Sequence, residues 1–353
     1  YCKEGMARTR KTTKQPTVKE VAALAEVSLA TVSHVINKTR FVSDETIAKV
    51  ENAIKILGYK ANPIARNLSS GESRLIGYVV SNIACYFYVD MATGIEKTIN
   101  SQGYQLLLMD SKDSKQRETQ HIESLLLRGV DGIIIAPTTT DYGFLNELLP
   151  KCFPVVFLDR QPLNYQADYV LLNNTLASFE ATNYLIKKSY TRIAYITYHY
   201  GEDGIDATTE ERILGFKEAF MEAGIPLDNT LIQAVPGNAY TRWSLMKGET
   251  YYTMQCMLDK RVQAVFCGNS FAAAGVVNCL NEAEVRMPED IALITYDDDL
   301  WMSMTRPKLS SIIQPAEAMG SHAAERILKR LREKNLPHDS FRLNADIVYR
   351  GSC

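Results

Sequence analysis

Seven short apolar runs recur between residues 75 and 297, each separated from the next by a longer amphipathic stretch. A strand that is buried on both faces reads as a continuous apolar run, whereas an amphipathic helix repeats every 3.6 residues. Strands that alternate with helices build parallel sheets. The pattern therefore predicts doubly wound parallel sheets. The runs are 75–81, 104–110, 131–136, 154–159, 192–197, 264–268 and 291–297.

The region from 74 to 353 is long enough for two domains of ordinary size. We expect an α/β core of two doubly wound subdomains, approximately 74–173 plus 302–316, and 174–301 plus 317–353. Ligands of open α/β sheets bind outside the carboxyl ends of the strands. The cleft between these two subdomains is therefore the predicted ligand site.

Residues 17–60 show a different, entirely helical pattern. Thr17 followed by Glu20 is a capping box for a first helix. Ser28 and Ser43 are placed to cap a second and a third helix, and Gly58 to end the third. Since the second helix follows a tight turn, the segment predicts a helix-turn-helix whose second helix enters the major groove of DNA.

The apolar residues of this segment define one inward face on each helix. The second helix leaves Leu29, Ala30, Ser33, His34 and Asn37 on its other face. The predicted inward residues are Val18, Val21, Ala22, Leu24 and Ala25 in the first helix, Val32, Val35 and Ile36 in the second, and Ile47, Val50, Ala53, Ile54 and Leu57 in the third.

Charge separates the two regions as well. The first 70 residues hold 12 Lys and Arg against 6 Asp and Glu, although the whole chain has a net charge of −2. A basic amino-terminal part on an acidic body is typical of a protein in which only that part meets a polyanion. We expect 1–16 to be a disordered basic tail.

Several short motifs of the helical region occur together in one order. The motifs are Thr31-Val32-Ser33 with Val35 and Asn37, Val42-Ser43 with Thr46, Leu57-Gly58-Tyr59, and Asn62 with Ala65-Arg66 and Leu68. Together they resemble the lactose-repressor (LacI/GalR) family of bacterial transcription regulators, and the run 31–42 is similar to the purine-repressor branch of that family.

The resemblance implies roles for individual residues of 17–60, the DNA-binding domain, and of 61–73, a hinge helix and linker. Leu29, Ala30 and His34 would read base edges, and Leu68 would wedge into the minor groove. Asn62, Ala65 and Arg66 would form the hinge. Contacts to the DNA backbone are implied for Thr17, Ser28, Thr31, Ser33, Asn37, Ser43, Thr46 and Tyr59.

The core resembles the periplasmic-binding-protein-like core of the same family. The residue types suit a polyhydroxylated ligand, because an Arg and an Asp that face one cleft match vicinal hydroxyl groups. The predicted effector is a sugar or a sugar acid. Asn269-Ser270 and Asn173-Asn174 lack the carboxylates that relatives often have there, which favours an anionic ligand such as a sugar acid, whose carboxylate would pair with Arg160 and Arg212. The implied effector-binding residues are Tyr86, Phe87, Asp159, Arg160, Arg212, Asn269 and Asp297.

These features predict a homodimeric repressor that binds a pseudo-palindromic operator in double-stranded DNA and responds to a small-molecule effector. Two alternatives share the DNA-binding role: a core controlled by a protein partner, or by a purine-like corepressor. We expect no cofactor, metal or enzymatic activity, since the chain lacks G-x-G-x-x-G after its first core strand, a P-loop, G-x-S-x-G and HExxH. Seven cysteines without CxxC spacing and no long apolar run favour a cytoplasmic protein away from membranes.

Overall fold

The computed structural model describes residues 16–37, 40–59, 72–199, 207–236, 248–333 and 335–353. Contacts divide the chain into two units, with the boundary between Ser73 and Arg74. We call them the head and the core. The predicted hinge residues Asn62, Ala65, Arg66 and Leu68 lie outside the described residues, as does the predicted basic tail up to residue 15.

The head contains three helices: α1 (Val18–Ala25), α2 (Leu29–Asn37) and α3 (Asp44–Leu57). The capping box is confirmed, because the Glu20 backbone N–H donates to Thr17 Oγ1 while the Glu20 carboxylate accepts from the Thr17 N–H. Gly58 ends α3 in the left-handed conformation (φ 61°). That conformation suits glycine, which has no Cβ to clash with the preceding turn.

Two local predictions for the head differ from the structure. Ser43 occupies the N-cap position of α3, but its hydroxyl contacts the Thr46 hydroxyl at 2.9 Å and makes no capping bond to the backbone. Leu24 is half exposed and lies outside the apolar face of α1. The buried residues that the three helices share are small: Val21, Ala22, Ala25, Val32, Val50 and Ala53.

The first sheet of the core has the strand order β11-β5-β4-β3-β1-β2 and is parallel throughout. Helices cover both of its faces, which agrees with the doubly wound prediction. The strands are β1 (Leu75–Val80), β2 (Gln105–Asp110), β3 (Gly132–Ile135), β4 (Val155–Leu158), β5 (Asp168–Leu172) and β11 (Ser340–Leu343). Their helices are α4 (Tyr86–Asn100), α5 (Lys115–Leu127), α6 (Leu145–Leu148) and α11 (Ala316–Arg332).

The second sheet has the order β12-β10-β9-β8-β6-β7, and its edge strand β12 is antiparallel. The predicted strands therefore all form, and the α/β fold class is confirmed. The strands are β6 (Ile193–His199), β7 (Ile232–Pro236), β8 (Ala264–Cys267), β9 (Ala292–Tyr296), β10 (Ser310–Ile313) and β12 (Asp346–Val348). Their helices are α7 (Asn174–Lys187), α8 (Ala207–Glu222), α9 (Glu249–Asp259) and α10 (Ser270–Glu282).

The structure assigns the carboxyl-terminal segments differently from the prediction. We expected 302–316 in the first subdomain, but β10 pairs with β9 in the second sheet. We expected 317–353 in the second subdomain, but α11 packs on α4 and β11 pairs with β5, and only the last part of this segment, with β12, lies in the second sheet. The chain passes between the subdomains at 173, at 314–315 and at 344–345, so each sheet is completed by strands that are distant in sequence.

Helix α4 is held close to α11 by two glycines. A Cβ atom at Gly94 would lie 2.0 Å from the Glu317 carbonyl oxygen, and one at Gly320 would lie 2.1 Å from the Met91 carbonyl oxygen. Larger residues at either position would push the helices apart. Since Phe87 and Tyr88 are in the first turn of α4, this contact also fixes one wall of the cleft described below. No helix in the described parts of the chain is long and apolar enough to span a bilayer.

Candidate functional site

One face of α2 is accessible in the head. Leu29 is 47% exposed, and Ala30 and Ser33 are exposed beside it, whereas Val32 on the opposite face is fully buried. The side chain of His34 is partly exposed. The structure thus places the three predicted base-reading residues on one helix, with the apolar face turned into the head; the side chain of Asn37 lies outside the described ones.

Hydroxyl groups occur at the amino ends of all three head helices. Thr17 Oγ1 accepts from the Glu20 N–H at 3.3 Å, and Ser28 Oγ accepts from the Thr31 N–H at 3.0 Å. Ser43 precedes α3. Amino-terminal N–H groups and hydroxyls suit phosphate oxygens, which set the register of a protein on DNA. The predicted backbone contacts Thr31 and Thr46 lie in the first turns of α2 and α3, Ser33 lies in the middle of α2, and Tyr59 packs partly against the head interior.

A cavity lies in the core between the carboxyl ends of strands from both sheets. It is lined by six of the seven predicted effector residues: Phe87, Asp159, Arg160, Arg212, Asn269 and Asp297. Ten further residues complete the lining: Ser81, Asn82, Cys85, Tyr88, Asp113, Tyr198, Thr208, Thr209, Phe271 and Gln314. We call this cavity the cleft.

Arg212 is the most enclosed cation of the cleft, with 7% of its surface exposed. Its Nε donates to Asn174 Oδ1 at 2.9 Å, Nη1 donates to the Gly268 carbonyl at 2.7 Å, and Nη2 donates to Gln314 Oε1 at 3.2 Å. The guanidinium carbon lies 3.9 Å from the centre of the Tyr296 ring. A guanidinium held by three hydrogen bonds and a ring keeps a fixed orientation.

Asp297 and Asn269 are also held by the protein. Asp297 accepts from the Ser270 N–H at 3.0 Å and from Gln314 Nε2 at 2.6 Å, and it follows β9 with φ 67°. Asn269 caps α10, because its Oδ1 accepts from the Ala272 N–H, and its amide donates to Thr197 and to the Tyr198 carbonyl. Both residues line the cleft. Asn269 also has a structural role there, because it caps α10.

The opposite wall comes from the first subdomain. Tyr88 donates its hydroxyl to Asp159 Oδ2 at 3.1 Å, and Arg160 Nε lies 3.5 Å from the same oxygen. Arg160 Nη1 donates to the Pro137 carbonyl at 2.9 Å. Burial raises the pKa of Tyr88, so its hydroxyl keeps its proton and acts as a donor to the carboxylate.

Tyr86 does not line the cleft. It is 63% exposed and borders a neighbouring depression with Asp90, Asp298 and Asp299. Burial and the nearby charge of Asp297 raise the pKa of Asp299 to about 6. Tyr86 and Phe87 are successive residues at the start of α4 and point in different directions, so only the second of them reaches the cleft.

Sequence reasoning missed Thr208 and Gln314. Thr208 is buried and lines the cleft one helical turn before Arg212, so the spacing of four residues on α8 could have revealed it. Gln314 lies where the chain crosses from β10 to α11, and it bonds both Arg212 and Asp297. No local pattern marks a crossover residue. In the part of the chain that the structure describes, no group of His, Cys, Asp or Glu forms a metal site.

Comparisons with known proteins agree with this fold. Residues 17–62 match the model of bacterial regulatory proteins of the lacI family, and residues 182–353 match that of a periplasmic binding protein-like domain. The chain is 35% identical to the HTH-type transcriptional repressor PurR of Vibrio vulnificus (strain CMCP6) over 336 residues, which are 95% of this chain and 97% of the relative.

Two further likenesses cover nearly the whole chain. The ribose operon repressor of Escherichia coli (strain K12) is 34% identical over 342 residues, 96% of this chain and 99% of the relative. A solved complex of the transcriptional regulator CelR with cellobiose is 28% identical, with a TM-score of 0.69 over 96% of this chain and 100% of that one. The chain belongs to the lacI family of bacterial regulatory proteins. It is a transcriptional repressor of that family and not an enzyme.

Proposed function

We propose that the protein is a homodimeric repressor that binds a pseudo-palindromic operator and changes its operator affinity when a sugar or sugar acid occupies the cleft. The observation that carries the proposal is the Arg212–Gln314–Asp297 group, which presents a fixed guanidinium, amide and carboxylate to one cavity. Such a set of donors and acceptors matches the vicinal hydroxyl groups of a sugar.

The remaining lining also suits a sugar. Phe87 and Phe271 supply apolar surface beside these polar groups. The named functions of two similar proteins, a ribose operon repressor and a regulator in complex with cellobiose, support the same ligand class.

A neutral sugar and a sugar acid would contact the charged groups of the cleft differently. Asp113, Asp159 and Asp297 line the cleft together with Arg160 and Arg212. A neutral sugar can bond to all of these groups. A sugar acid must direct its carboxylate to the two arginines and to the Thr208 hydroxyl, because a carboxylate beside the aspartates would be repelled.

We expect the binding of the small ligand and the binding of the operator to be thermodynamically linked. A coupling free energy of about 1–3 kcal/mol between the two changes operator affinity by roughly 5–150-fold. The predicted wedge, Leu68, lies outside the described residues and stays a prediction. We expect Leu68→Ala to lose specific operator binding and to keep the salt-sensitive, non-specific binding of the basic head.

The proposal is tested with the full-length protein in three steps. Operators are first selected from random DNA, and sedimentation of the complex then gives the number of chains bound. Calorimetric titration with D-ribose, cellobiose, D-gluconate, hypoxanthine and guanine follows. We expect two chains on each operator and binding of at least one sugar, which Arg212→Met abolishes. Tight binding of hypoxanthine or guanine alone would replace the sugar by a purine-like corepressor.

A further inference from the structure

Glu118 is completely buried in the first turn of α5, in the first subdomain. Its hydrogen-bond donors are uncharged. Thr138 donates both its backbone N–H, at 3.0 Å, and its hydroxyl, at 2.7 Å, to Oε2, and the Tyr142 hydroxyl donates to Oε1. A buried carboxylate is costly unless it is well bonded, so its presence calls for a reason beyond packing.

The two donors belong to a single loop, 137–142, which follows β3. Ser111 adds a further contact to the loop, because its hydroxyl lies 2.9 Å from the Thr138 hydroxyl and also donates to the Val80 carbonyl. The loop is thus attached to α5 through Glu118 and to the end of β1 through Ser111. Three of the donors that fix it converge on the one carboxylate.

The same loop holds Arg160 of the cleft. The Pro137 carbonyl accepts from Arg160 Nη1 at 2.9 Å. Just beyond Arg160, the Leu163 N–H donates to the Thr140 carbonyl at 2.7 Å, and the Tyr142 N–H donates to the Leu163 carbonyl at 3.1 Å. A shift of the loop therefore moves both the carbonyl that orients the guanidinium and the segment that follows it.

We propose that Glu118 is a positioning residue for ligand recognition: through loop 137–142 it directs the Arg160 guanidinium into the cleft. The inference rests on the proposed function only in that the cleft takes a ligand. It assigns ligand affinity to a side chain that does not touch the cleft.

The ionised form of Glu118 is the one that fits these contacts. A carboxylate can accept all three hydrogen bonds, whereas a protonated carboxyl group carries a hydrogen on one oxygen, which makes that oxygen a donor and a weaker acceptor. Burial raises the pKa of Glu118 to about 7, against the hydrogen bonds from Tyr142 and Thr138 and the positive charge of Arg160, which lower it. Protonation near neutral pH should therefore loosen the loop.

Few other titratable groups face this carboxylate. Tyr142 faces it from the loop, and Arg160 faces it from the segment after β4. His121, on the same helix, lies with its Nε2 3.1 Å from the Asp110 carbonyl, at the end of β2. We therefore expect ligand affinity to fall from pH 8 to pH 6 by about 5-fold or more, the lower end of ordinary coupling between sites.

The experiment compares Glu118→Gln, Arg160→Met and their double variant in the full-length protein. Glu123→Gln, an exposed residue of the same helix, is the matched control. Calorimetric titrations with D-gluconate and D-ribose are made at pH 6, 7 and 8. We expect Glu118→Gln to weaken binding at pH 8 and to remove the pH dependence, and the double variant to bind no worse than Arg160→Met alone. Glu123→Gln should behave as the wild type.

Several results would overturn the inference. A wild-type pH profile in Glu118→Gln would do so, as would losses that add fully in the double variant. If Glu118→Gln does not fold, Thr138→Val removes one donor without changing the buried charge and serves in its place. If the wild type binds neither probe, the sugar proposal loses its support, and crystal structures of the wild type and Glu118→Gln decide: an unmoved Arg160 would refute the positioning role.

Discussion

The head and the core of this repressor place their functional residues in opposite ways. The three predicted base-reading residues lie within six positions of one another on a single helix, and their side chains are at least partly exposed. The cleft takes its lining from residues 81 to 314, and most of its polar groups are already bonded to the protein. A surface that meets a large partner can be local, whereas a cavity that encloses a small ligand needs several chain segments.

The two regions also differ in the interior that supports them. The buried residues of the head are valines and alanines, while the core buries many aromatic and large aliphatic side chains in extended clusters. Small domains bury a smaller fraction of their surface and have a narrower margin of stability. We therefore expect the head to unfold before the core, and the following changes test that difference in order of expected effect.

Arg212→Met should have the largest effect, and it should be confined to the core. The change removes the donor to Asn174 Oδ1 and to Gln314 Oε1 and the positive charge near Asp297, and breaking a buried charged network typically costs about 3–5 kcal/mol. Urea denaturation followed by circular dichroism gives the free energy of unfolding. Arg128→Met, at an exposed position, is the control; equal losses in both variants would contradict the central role of Arg212.

Val50→Ala should destabilise the head and leave the core unchanged. Val50 is fully buried among the three helices, and deletion of buried methyl groups leaves a cavity that costs about 2 kcal/mol in total. Hydrogen exchange of head and core amides measures the two regions separately. Ile56→Ala, at a position that is 64% exposed, should change protection by less than about 0.5 kcal/mol. A parallel loss of protection in core amides would show that the two regions unfold together.

Glu118 should make the core less stable as pH rises towards neutrality. Its pKa is raised from 4.5 to about 7 in the folded protein, so the folded state binds the proton more tightly than the unfolded state. The stabilisation is full below pH 4.5 and is lost as the pH rises through 7. Between pH 5.5 and 7.5 the wild type should therefore lose about 2 kcal/mol relative to Glu118→Gln. Unfolding curves of both proteins at the two pH values measure this difference, and parallel pH dependences would exclude it.

His34→Ala should change base preference with little effect on folding. His34 is the one predicted base-reading side chain that can donate a hydrogen bond, and its loss should cost about 1 kcal/mol at a single base pair. Selection of operators from random DNA with the wild type and the variant shows at which base pair the preference changes. Ala30→Ser adds a hydroxyl at an exposed neighbour and serves as the comparison. A uniform loss over all sequences would instead assign His34 to the DNA backbone.

Glu26→Gly should give the smallest change and a favourable one. Glu26 ends α1 in the left-handed conformation with φ 55°, which is costly for any residue with a Cβ atom. Glycine should stabilise the head by about 0.5–1 kcal/mol, which amide exchange in the head can resolve. Exchange in Glu51→Gly, an exposed position inside α3, should move in the opposite direction. A head destabilised by Glu26→Gly would mean that the carboxylate makes a contact worth more than the strain.

The sequence alone determined the features that depend on neighbours along the chain. The Thr17–Glu20 capping box, the helix end at Gly58 and the buried strands all follow from side-chain type and spacing, because capping and amphipathic periodicity are local. The resemblance of its motifs also located Arg212 and Asp297, which the structure places together in the cleft.

Only the tertiary structure decided the features that depend on distant segments. Helix α11 belongs to the first subdomain and β10 to the second, Gln314 lies at a crossover, and Glu118 is linked through Pro137 to Arg160. None of these contacts joins residues that share a local sequence pattern. Their contacts exist because the sheets bring the carboxyl ends of parallel strands to one edge. The apolar pattern of a segment predicts that it forms a strand, whereas the packing of the sheets decides which strand ends lie together.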